Sequence, residues 1–238
     1  MDKVLWFQTI CKKNKFDVSA TQVELLKKFC EELLSWNKKI NLISRRDEEN
    51  IWTRHIVGSI SFMFNYKLKQ HSKVLDVGTG GGLPGIPIAI LKPDFYLVLV
   101  DSIQKKIKAV NEIISKLCLK NVQTCCDRVE NLDRDPKYLQ SFDYIIARAV
   151  GPTADVLKRC KKLMKPIHAH SNDMKKEIEQ NRIILPGAIM LLKGGELTRE
   201  IEDATLKHKP RYISSLELTV EGVDRSELHE KKLIVVYP

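Results

Sequence analysis

The segment from Val74 to Pro87, VLDVGTGGGLPGIP, combines an acid, five glycines and two prolines in a pattern that predicts a ligand-binding turn. Its first residues are typical of a buried strand, and the residues from Ile86 onward are typical of a helix. Glycine has no Cβ and adopts positive φ at little cost, so a ligand can lie directly on this backbone. The following helix would offer free N–H groups and the positive end of its dipole. We therefore expect a nucleotide-like cofactor here.

Two kinds of cofactor use turns of this type. Residues 80–85 satisfy the G-x-G-x-x-G motif of dinucleotide enzymes. With Asp76 included, the same segment is acid-x-Gly-x-Gly-x-Gly, the pattern of S-adenosylmethionine (SAM) methyltransferases, and a carboxylate suits the cationic end of SAM. Asp101, at the end of the next predicted strand, can accept hydrogen bonds from both ribose hydroxyls in either case. The turn favours SAM, and a nicotinamide-dependent oxidoreductase is the alternative.

Polar residues also follow the third predicted strand, Val122–Cys126. They include Arg128 and Glu130, which flank Val129. Because ligands of open α/β sheets bind outside the carboxyl ends of the strands, we expect this segment to border the cofactor. Backbone groups of Val129 and Glu130 are candidates for contacts with the adenine edge.

Arg148 directly follows the apolar run that ends the fourth predicted strand. This position lies at the rim of the expected active site. A guanidinium there requires an anionic or hydrogen-bonding partner, because its desolvation is costly. A role in cofactor or base binding is one interpretation, and a structural ion pair with Asp143 or Asp155 is the other.

The elements that must position these residues alternate between strand and helix from residue 73 onward. This order predicts an α/β fold with a doubly wound, mostly parallel, Rossmann-like sheet over residues 73–238. The predicted strands are Val74–Val77, Phe95–Val100, Val122–Cys126, Phe142–Ala147 and Ala188–Leu192. The predicted helices are Ile86–Leu91, Ile103–Leu117 and Thr153–Met164. The C-terminal runs Tyr212–Val220 and Leu233–Tyr237 predict an antiparallel hairpin at the sheet edge.

Residues 1–72 precede this core and predict an N-terminal helical extension. The apolar spacing that starts at Thr21 is that of a one-sided helix. Ser19 or Thr21 can cap this helix, and Glu24 is spaced as a capping-box partner of Thr21. A second helix is expected at about residues 48–66.

The composition excludes several classes of protein. A chain of 238 residues with 43% hydrophobic content can bury a sizeable core. No run approaches the roughly 18 apolar residues of a membrane span, and the first residues lack a secretory pattern, so we expect a cytoplasmic protein. The six cysteines show no metal-ligand spacing, and no metal is expected. A formal charge of +10 favours an anionic partner without separating RNA from DNA.

Short motifs occur in a specific order along nearly the whole chain. They are Trp36-Asn37 with Asn41-Leu42, Arg54-His55-Ile56 with Ser59, Asp76–Pro87, Asp101-Ser102 with Lys105-Lys106, Arg128-Val129-Glu130, Arg148-Ala149 and Leu192-Lys193-Gly194. Each motif is weak alone. Together they make the chain similar to the bacterial small-subunit rRNA guanine-N7 methyltransferases of the RsmG (GidB) type.

The resemblance implies transfer of the SAM methyl group to N7 of a guanine in the decoding-region loop of 16S rRNA. It also implies a class I SAM-dependent methyltransferase fold. The partner would be 16S rRNA or the small ribosomal subunit, and we expect a monomer. A SAM-dependent methyltransferase of another RNA, the oxidoreductase above and a non-catalytic rRNA-binding factor are the alternatives.

The resemblance and the turn pattern together assign roles to individual residues. The candidate cofactor contacts are Asp76, Gly78, Gly80, Leu83, Asp101, Val129, Glu130 and Arg148. The candidate RNA contacts are Lys105, Arg128 and Lys231. Guanine N7 carries an available lone pair, so no general base is expected and positioning can supply the catalysis. Arg148 is therefore the single residue expected to act at the reacting groups, by positioning the base or the cofactor.

The chain departs from the family pattern in three places. Gly58 stands where an aspartate usually occurs in the R-H-x-x-D-S run, so no role of that acid can be transferred. Lys231 stands where an arginine is common, and lysine lacks the bidentate fork. Residues 166–182 exceed the usual length of a connection in such units, and they predict an insertion.

Overall fold

A seven-stranded sheet forms the centre of the computed structural model, which describes residues 2–167, 169–229 and 231–238. The strands in chain order are β1 Lys67–Leu68, β2 Lys73–Val77, β3 Tyr96–Asp101, β4 Val122–Cys126, β5 Tyr144–Arg148, β6 Ile183–Ile184, β7 Ala188–Lys193, β8 Tyr212–Glu217 and β9 Lys232–Tyr237. The sheet has the order β4-β3-β2-β5-β7-β9-β8. Its first five strands are parallel, whereas β9 runs antiparallel to both β7 and β8. The predicted mostly parallel sheet with an antiparallel edge hairpin is confirmed.

Helices cover both faces of this sheet. They are α1 Lys3–Lys13, α2 Ala20–Asn37, α3 Gly58–Asn65, α4 Gly85–Leu91, α5 Gln104–Lys116, α6 Thr153–Cys160, α7 Ser171–Glu179 and α8 Thr198–His208. Successive residues of β2 face opposite sides, as the period of a strand requires. Val74 packs in the apolar cluster under α1–α5, and Leu75 and Val77 pack in the cluster under α6 and α8. The doubly wound arrangement predicted from the alternation is therefore present.

The helix α8 was not predicted from the sequence. It contains few apolar residues: Ala204 is its one fully buried side chain, and Leu206 is 79% exposed. Ala204 and Ile201 pack in the cluster under α6, and a polar contact adds to this attachment. Glu200 Oε1 accepts hydrogen bonds from the backbone N and the Oγ1 of Thr153, at 2.7 and 2.6 Å.

The N-terminal helices differ in detail from the prediction. Ser19 caps α2, and its capping-box partner is Gln22 rather than Glu24, so the pairing of Thr21 with Glu24 is wrong. The predicted helix at 48–66 is helical as far as Asn65 but changes type. A 3-10 helix at Arg45–Asn50 is followed by a π-helix at Ile51–Val57 and then by α3.

The segment predicted as an insertion, 166–182, packs against the core. It contains α7, whose Met174 and Ile178 are fully buried in the same apolar cluster as the N-terminal helices. Directly after it, β6 pairs in parallel with β1. His168 lies outside the described residues. No helix among the described residues is long and apolar enough to cross a membrane.

Two asparagines connect the N-terminal helices to the loop between β8 and β9. Asn14 Nδ2 donates to Glu221 O at 3.0 Å, and Asn14 Oδ1 accepts from Glu221 N at 2.9 Å. Asn65 Nδ2 donates to Thr219 O at 2.8 Å. The N-terminal helices are therefore hydrogen-bonded to the C-terminal part of the chain. The division into an extension and a core at residue 72 stays a prediction.

We expect Asn14→Ala and Asn65→Ala each to lower the free energy of unfolding by about 1 kcal/mol, because each removes hydrogen bonds between the chain ends. Urea denaturation followed by circular dichroism measures this. Asn181→Ala is the matched control, since within the described part of the chain its side chain bonds only to Glu177, four residues earlier. Equal stability losses in all three variants would contradict the role of the two asparagines.

Candidate active site

The glycine turn joins β2 to α4 at the carboxyl edge of the sheet. The backbone N atoms of Gly78 and Thr79 donate to Val100 O at 2.8 and 3.0 Å, which holds the turn against the end of β3. Gly78 has a φ of +68°, and a Cβ at this position would lie 2.8 Å from Val150 Cγ2. Both facts require glycine. The turn thus presents bare backbone beside the loop that follows β5.

Asp76 lies beneath this turn and is fully buried. Its Oδ2 accepts hydrogen bonds from Thr79 Oγ1 at 2.6 Å and from Gly85 N at 2.9 Å. Its Oδ1 has no hydrogen-bond partner among the described residues. Burial raises the pKa of Asp76 to about 7, against the opposing effect of these two hydrogen bonds. Asp76 therefore braces the turn and keeps one oxygen uncommitted.

Asp101 contacts the turn from the end of β3. Its Oδ2 accepts from Gly80 N at 3.0 Å, and its Oδ1 accepts from Ile103 N at 2.9 Å. A carboxylate oxygen has two acceptor positions, so each oxygen can accept one more hydrogen bond. The predicted position of Asp101 next to the glycine turn is thus consistent with a ribose contact.

A cavity of about 360 Å³ opens at the carboxyl ends of β2, β3 and β4. The predicted residues that line it are Gly78, Asp101, Arg128, Val129 and Glu130. The other lining residues are Val77, Val100, Ser102, Asp127, Val150 and Arg159. Valine side chains suit a flat purine, and a carboxylate beside the turn suits ribose hydroxyls. The residues present therefore fit the adenosine part of SAM, while the uncommitted oxygen of Asp76 suits its cationic part.

Six of these lining residues were not predicted as site residues, and three of them, Asp127, Val150 and Arg159, lie outside the strands and the Asp101-Ser102 motif. Asp127 Oδ1 accepts from Arg128 N and from Asn131 Nδ2, both at 2.7 Å, which shapes the loop after β4. Its place in the polar run after the strand was a usable signal. Arg159 comes from α6 and Val150 from the loop before it, and their spacing alone does not show that they meet the cavity.

Arg148 ends β5 and is connected to the N-terminal helices. Its Nη2 donates to Arg54 O at 2.9 Å, and its Nη1 lies 3.4 Å from Ser59 Oγ. Asp143, considered above as its ion-pair partner, binds Lys165 Nζ at 2.8 Å. The Arg54–Ser59 segment and Arg148 were predicted separately, and the structure brings them together.

A buried acid and two histidines extend this contact. His55 is 7% exposed, and its Nε2 lies 3.7 Å from Asp47 Oδ2. Burial, and then the charge of Arg148, lower the pKa of His55 to about 4, so its imidazole is neutral at neutral pH. Asp47 also pairs with Arg54 and lies 3.5 Å from His229 Nε2. Sequence reasoning missed Asp47 and His229, because 182 residues separate them and no spacing pattern links them.

The remaining predicted residues occupy different parts of the same edge. Leu83 is buried within the turn, and Lys105 is exposed on the first turn of α5. Lys231 N donates to Lys193 O at 3.0 Å, where β9 begins beside the end of β7. Lys231 therefore lies at the carboxyl edge of the parallel strands, two strands away from Arg148.

Comparison with solved structures shows a shared fold. A fibrillarin/Nop5p complex covers 78% of this chain and 81% of that chain, with a TM-score of 0.53 and 12% identity. A Corynebacterium glutamicum protein covers 98% of this chain and 95% of that chain, with the same TM-score and identity. At such low identity these likenesses concern the fold alone.

Comparison of sequences shows the family. The model of the family described as rRNA small subunit methyltransferase G matches residues 22–184. The ribosomal RNA small subunit methyltransferase G of Bacteroides fragilis is 36% identical over 92% of this chain and 95% of the relative. That of Bacteroides thetaiotaomicron is 39% identical over 85% of each chain.

These matches confirm the predicted fold class, the enzymatic methyl transfer and SAM as the cofactor. They agree with the geometry, in which an acid-braced glycine turn and an adenosine-sized cavity share one edge of the sheet. The chain belongs to the rRNA small subunit methyltransferase G family.

Proposed function

We propose that this enzyme transfers the methyl group of SAM to N7 of a guanine in the decoding-region loop of 16S rRNA, and that it acts on the RNA or the small subunit as a monomer. The observation that carries the proposal is the position of Arg148 at the same sheet edge as the glycine turn and the adenosine-sized cavity. When bound, SAM supplies an electrophilic methyl carbon. Family membership supports the rRNA substrate.

The geometry of the turn and the cavity supports the following cofactor contacts. Asp101 accepts from the ribose hydroxyls, and the segment of Val129 and Glu130 borders the adenine. The methionine part of SAM contacts the turn at Gly78, Gly80 and Leu83. Asp76 acts by charge from beneath the turn, where its ionised carboxylate attracts the sulfonium and amino groups.

Arg148 positions the guanine or the cofactor. Its guanidinium is held by the carbonyl of Arg54 and lies near the hydroxyl of Ser59, so its orientation is set before the substrate binds. His55 beside it is neutral at neutral pH, because burial and the charge of Arg148 lower its pKa to about 4. The lone pair of N7 attacks without loss of a proton, so these residues need only orient and exclude water.

Lys105, Arg128 and Lys231 are assigned to the RNA. Lys105 and Arg128 are exposed on the elements that follow β3 and β4, and Arg128 lines the cavity. Lys231 approaches from the opposite side of the edge, where β9 begins. Cations on both sides of the site suit a phosphate backbone that passes across it.

We expect Arg148→Ala to lower methyl transfer about 100-fold or more, because the reacting groups lose their alignment. The assay is transfer of tritiated methyl to undermethylated 16S rRNA and to small subunits, followed by mapping of the modified base. Arg182→Ala is the control, since Arg182 bonds to Tyr66 at the other edge of the sheet. Full activity of Arg148→Ala would remove its role, and a modified base other than guanine N7 would overturn the proposed function.

We expect Gly85→Ala to weaken SAM binding at least tenfold and to destabilise the fold by about 1–3 kcal/mol. The added Cβ would lie 2.6 Å from Asp76 Oδ2 and 2.9 Å from Leu99, so the turn must shift. Isothermal titration with SAM measures the affinity. Gly187→Ala is the control: its φ of +98° makes it destabilising as well, but it lies at the amino end of β7. Unchanged SAM affinity in Gly85→Ala would contradict the role of this contact.

We expect SAM affinity to rise between pH 6 and pH 8, because the pKa of Asp76 is raised to about 7 and the cation prefers its ionised form. The same raised pKa stabilises the free fold fully below about pH 4, and this contribution is lost as pH rises through 7. Titration with SAM across this range tests the first statement, and urea denaturation of the free protein from pH 4 to pH 8 tests the second, each in the wild type and in Asp76→Asn. An equal pH dependence in the two proteins would show that another group is responsible.

A further inference from the structure

An open groove of about 700 Å³ lies between the end of α2 and the start of α5, and its charged lining is entirely basic. We define this basic groove by residues 37–45 and Lys106, which line it. Lys38, Lys39, Arg45 and Lys106 contribute four positive charges, and no acid is among the lining residues. None of the four takes part in a salt bridge within the described part of the chain.

We propose that the basic groove binds the sugar–phosphate backbone of the rRNA strand next to the target guanine. This inference rests on the proposed function, in which rRNA is the substrate. It adds a binding surface that is separate from Lys105, Arg128 and Lys231.

The loop that carries these cations is held by a buried asparagine. Asn37 is 4% exposed, and its Oδ1 accepts hydrogen bonds from Leu42 N at 2.8 Å and from Ile43 N at 3.0 Å. Its Nδ2 donates to Glu48 Oε1 at 2.6 Å. The loop is thereby ordered before any ligand binds, which reduces the entropy lost on binding.

The groove is continuous with the glycine turn. A Cβ on Gly81 would lie 3.2 Å from Leu42 Cβ, so the wall of the groove packs directly on the turn. On the other side, Lys106 N donates to Ile103 O, and Ile103 N donates to Asp101. A strand bound in the groove therefore passes beside the cofactor turn.

The chemistry of the groove suits a single-stranded backbone. Cations that form no salt bridge and lie on an open surface attract phosphates and release counterions, so binding falls with salt. Single strands are the form in which bases of a loop become accessible to an enzyme. Three of the four cations, Lys38, Lys39 and Arg45, are exposed, and they can follow a backbone without recognising its sequence.

The test is the triple variant Lys38→Gln/Lys39→Gln/Arg45→Gln in the full chain. We expect the Kd for deproteinised 16S rRNA to rise at least about tenfold, and the slope of log K against log salt to decrease by about 2, since each phosphate contact contributes about 0.7. KM for the RNA should rise while kcat and the Kd for SAM are unchanged. Fluorescence anisotropy measures RNA binding without methyl transfer.

The matched control is Lys69→Gln/Lys175→Gln/Lys176→Gln, which removes three exposed charges beside β1 and on α7. Equal effects of the two triple variants would overturn the groove, because they would reflect net charge alone. If the wild type binds 16S rRNA but modifies no guanine, the proposed function fails. The effect of the triple variant on the Kd for RNA still tests the groove. If the first variant does not fold, Arg45→Gln alone is expected to lower the salt slope by about 0.7, and an unchanged slope would overturn the proposal.

Discussion

The contact between the buried carboxylate of Asp76 and the backbone of Gly85 is the constraint on which the site depends. Two hydrogen bonds to Oδ2 hold the beginning and the end of the glycine turn around one acid. A side chain at Gly85 would occupy the space of that oxygen. The acid and the glycines of the motif are therefore one structural unit. This unit fixes the shape of the turn, and the turn forms the surface that receives the cofactor.

The rim of the site is assembled from distant parts of the chain. Arg148 comes from the sheet, the carbonyl that binds it comes from Arg54, and Asp47 lies between the π-helical turn and His229 of the C-terminal loop. The N-terminal helices therefore do more than cover apolar surface. They supply hydrogen-bonding partners of Arg148. The loop that Asn37 holds also forms the basic groove beside the glycine turn.

The sheet and the turn could be predicted because their signals are local. Apolar runs of four to six residues mark the strands, and the glycine pattern marks the one connection that requires bare backbone. Asp101 could be placed because a parallel sheet brings the ends of neighbouring strands to one edge. The position of Arg148 after a strand placed it at the rim, whereas its role and the RNA residues came from the family resemblance.

What could not be predicted depends on tertiary contacts. The helix α8 contains few apolar residues and is attached partly by Glu200, so its sequence gives little apolar signal. Asp47 and His229 meet only after the hairpin has packed on the N-terminal helices, and Arg159 reaches the cavity from the far end of a crossover. Gln22 and Glu24 each lie three residues after a residue that can cap a helix. Only the observed start of α2 at Ala20 shows that Gln22 is the capping-box partner.

The two hydrogen bonds between Asn14 and Glu221 join residues that are 207 positions apart. Loops of that size close slowly, because their entropy is lost before the contact is made. During synthesis the N-terminal helices leave the ribosome long before the hairpin that completes them. The sheet edge that holds Arg148 is finished only when the last strand has been made, so a partly synthesised chain has the cofactor motif without the complete rim around it.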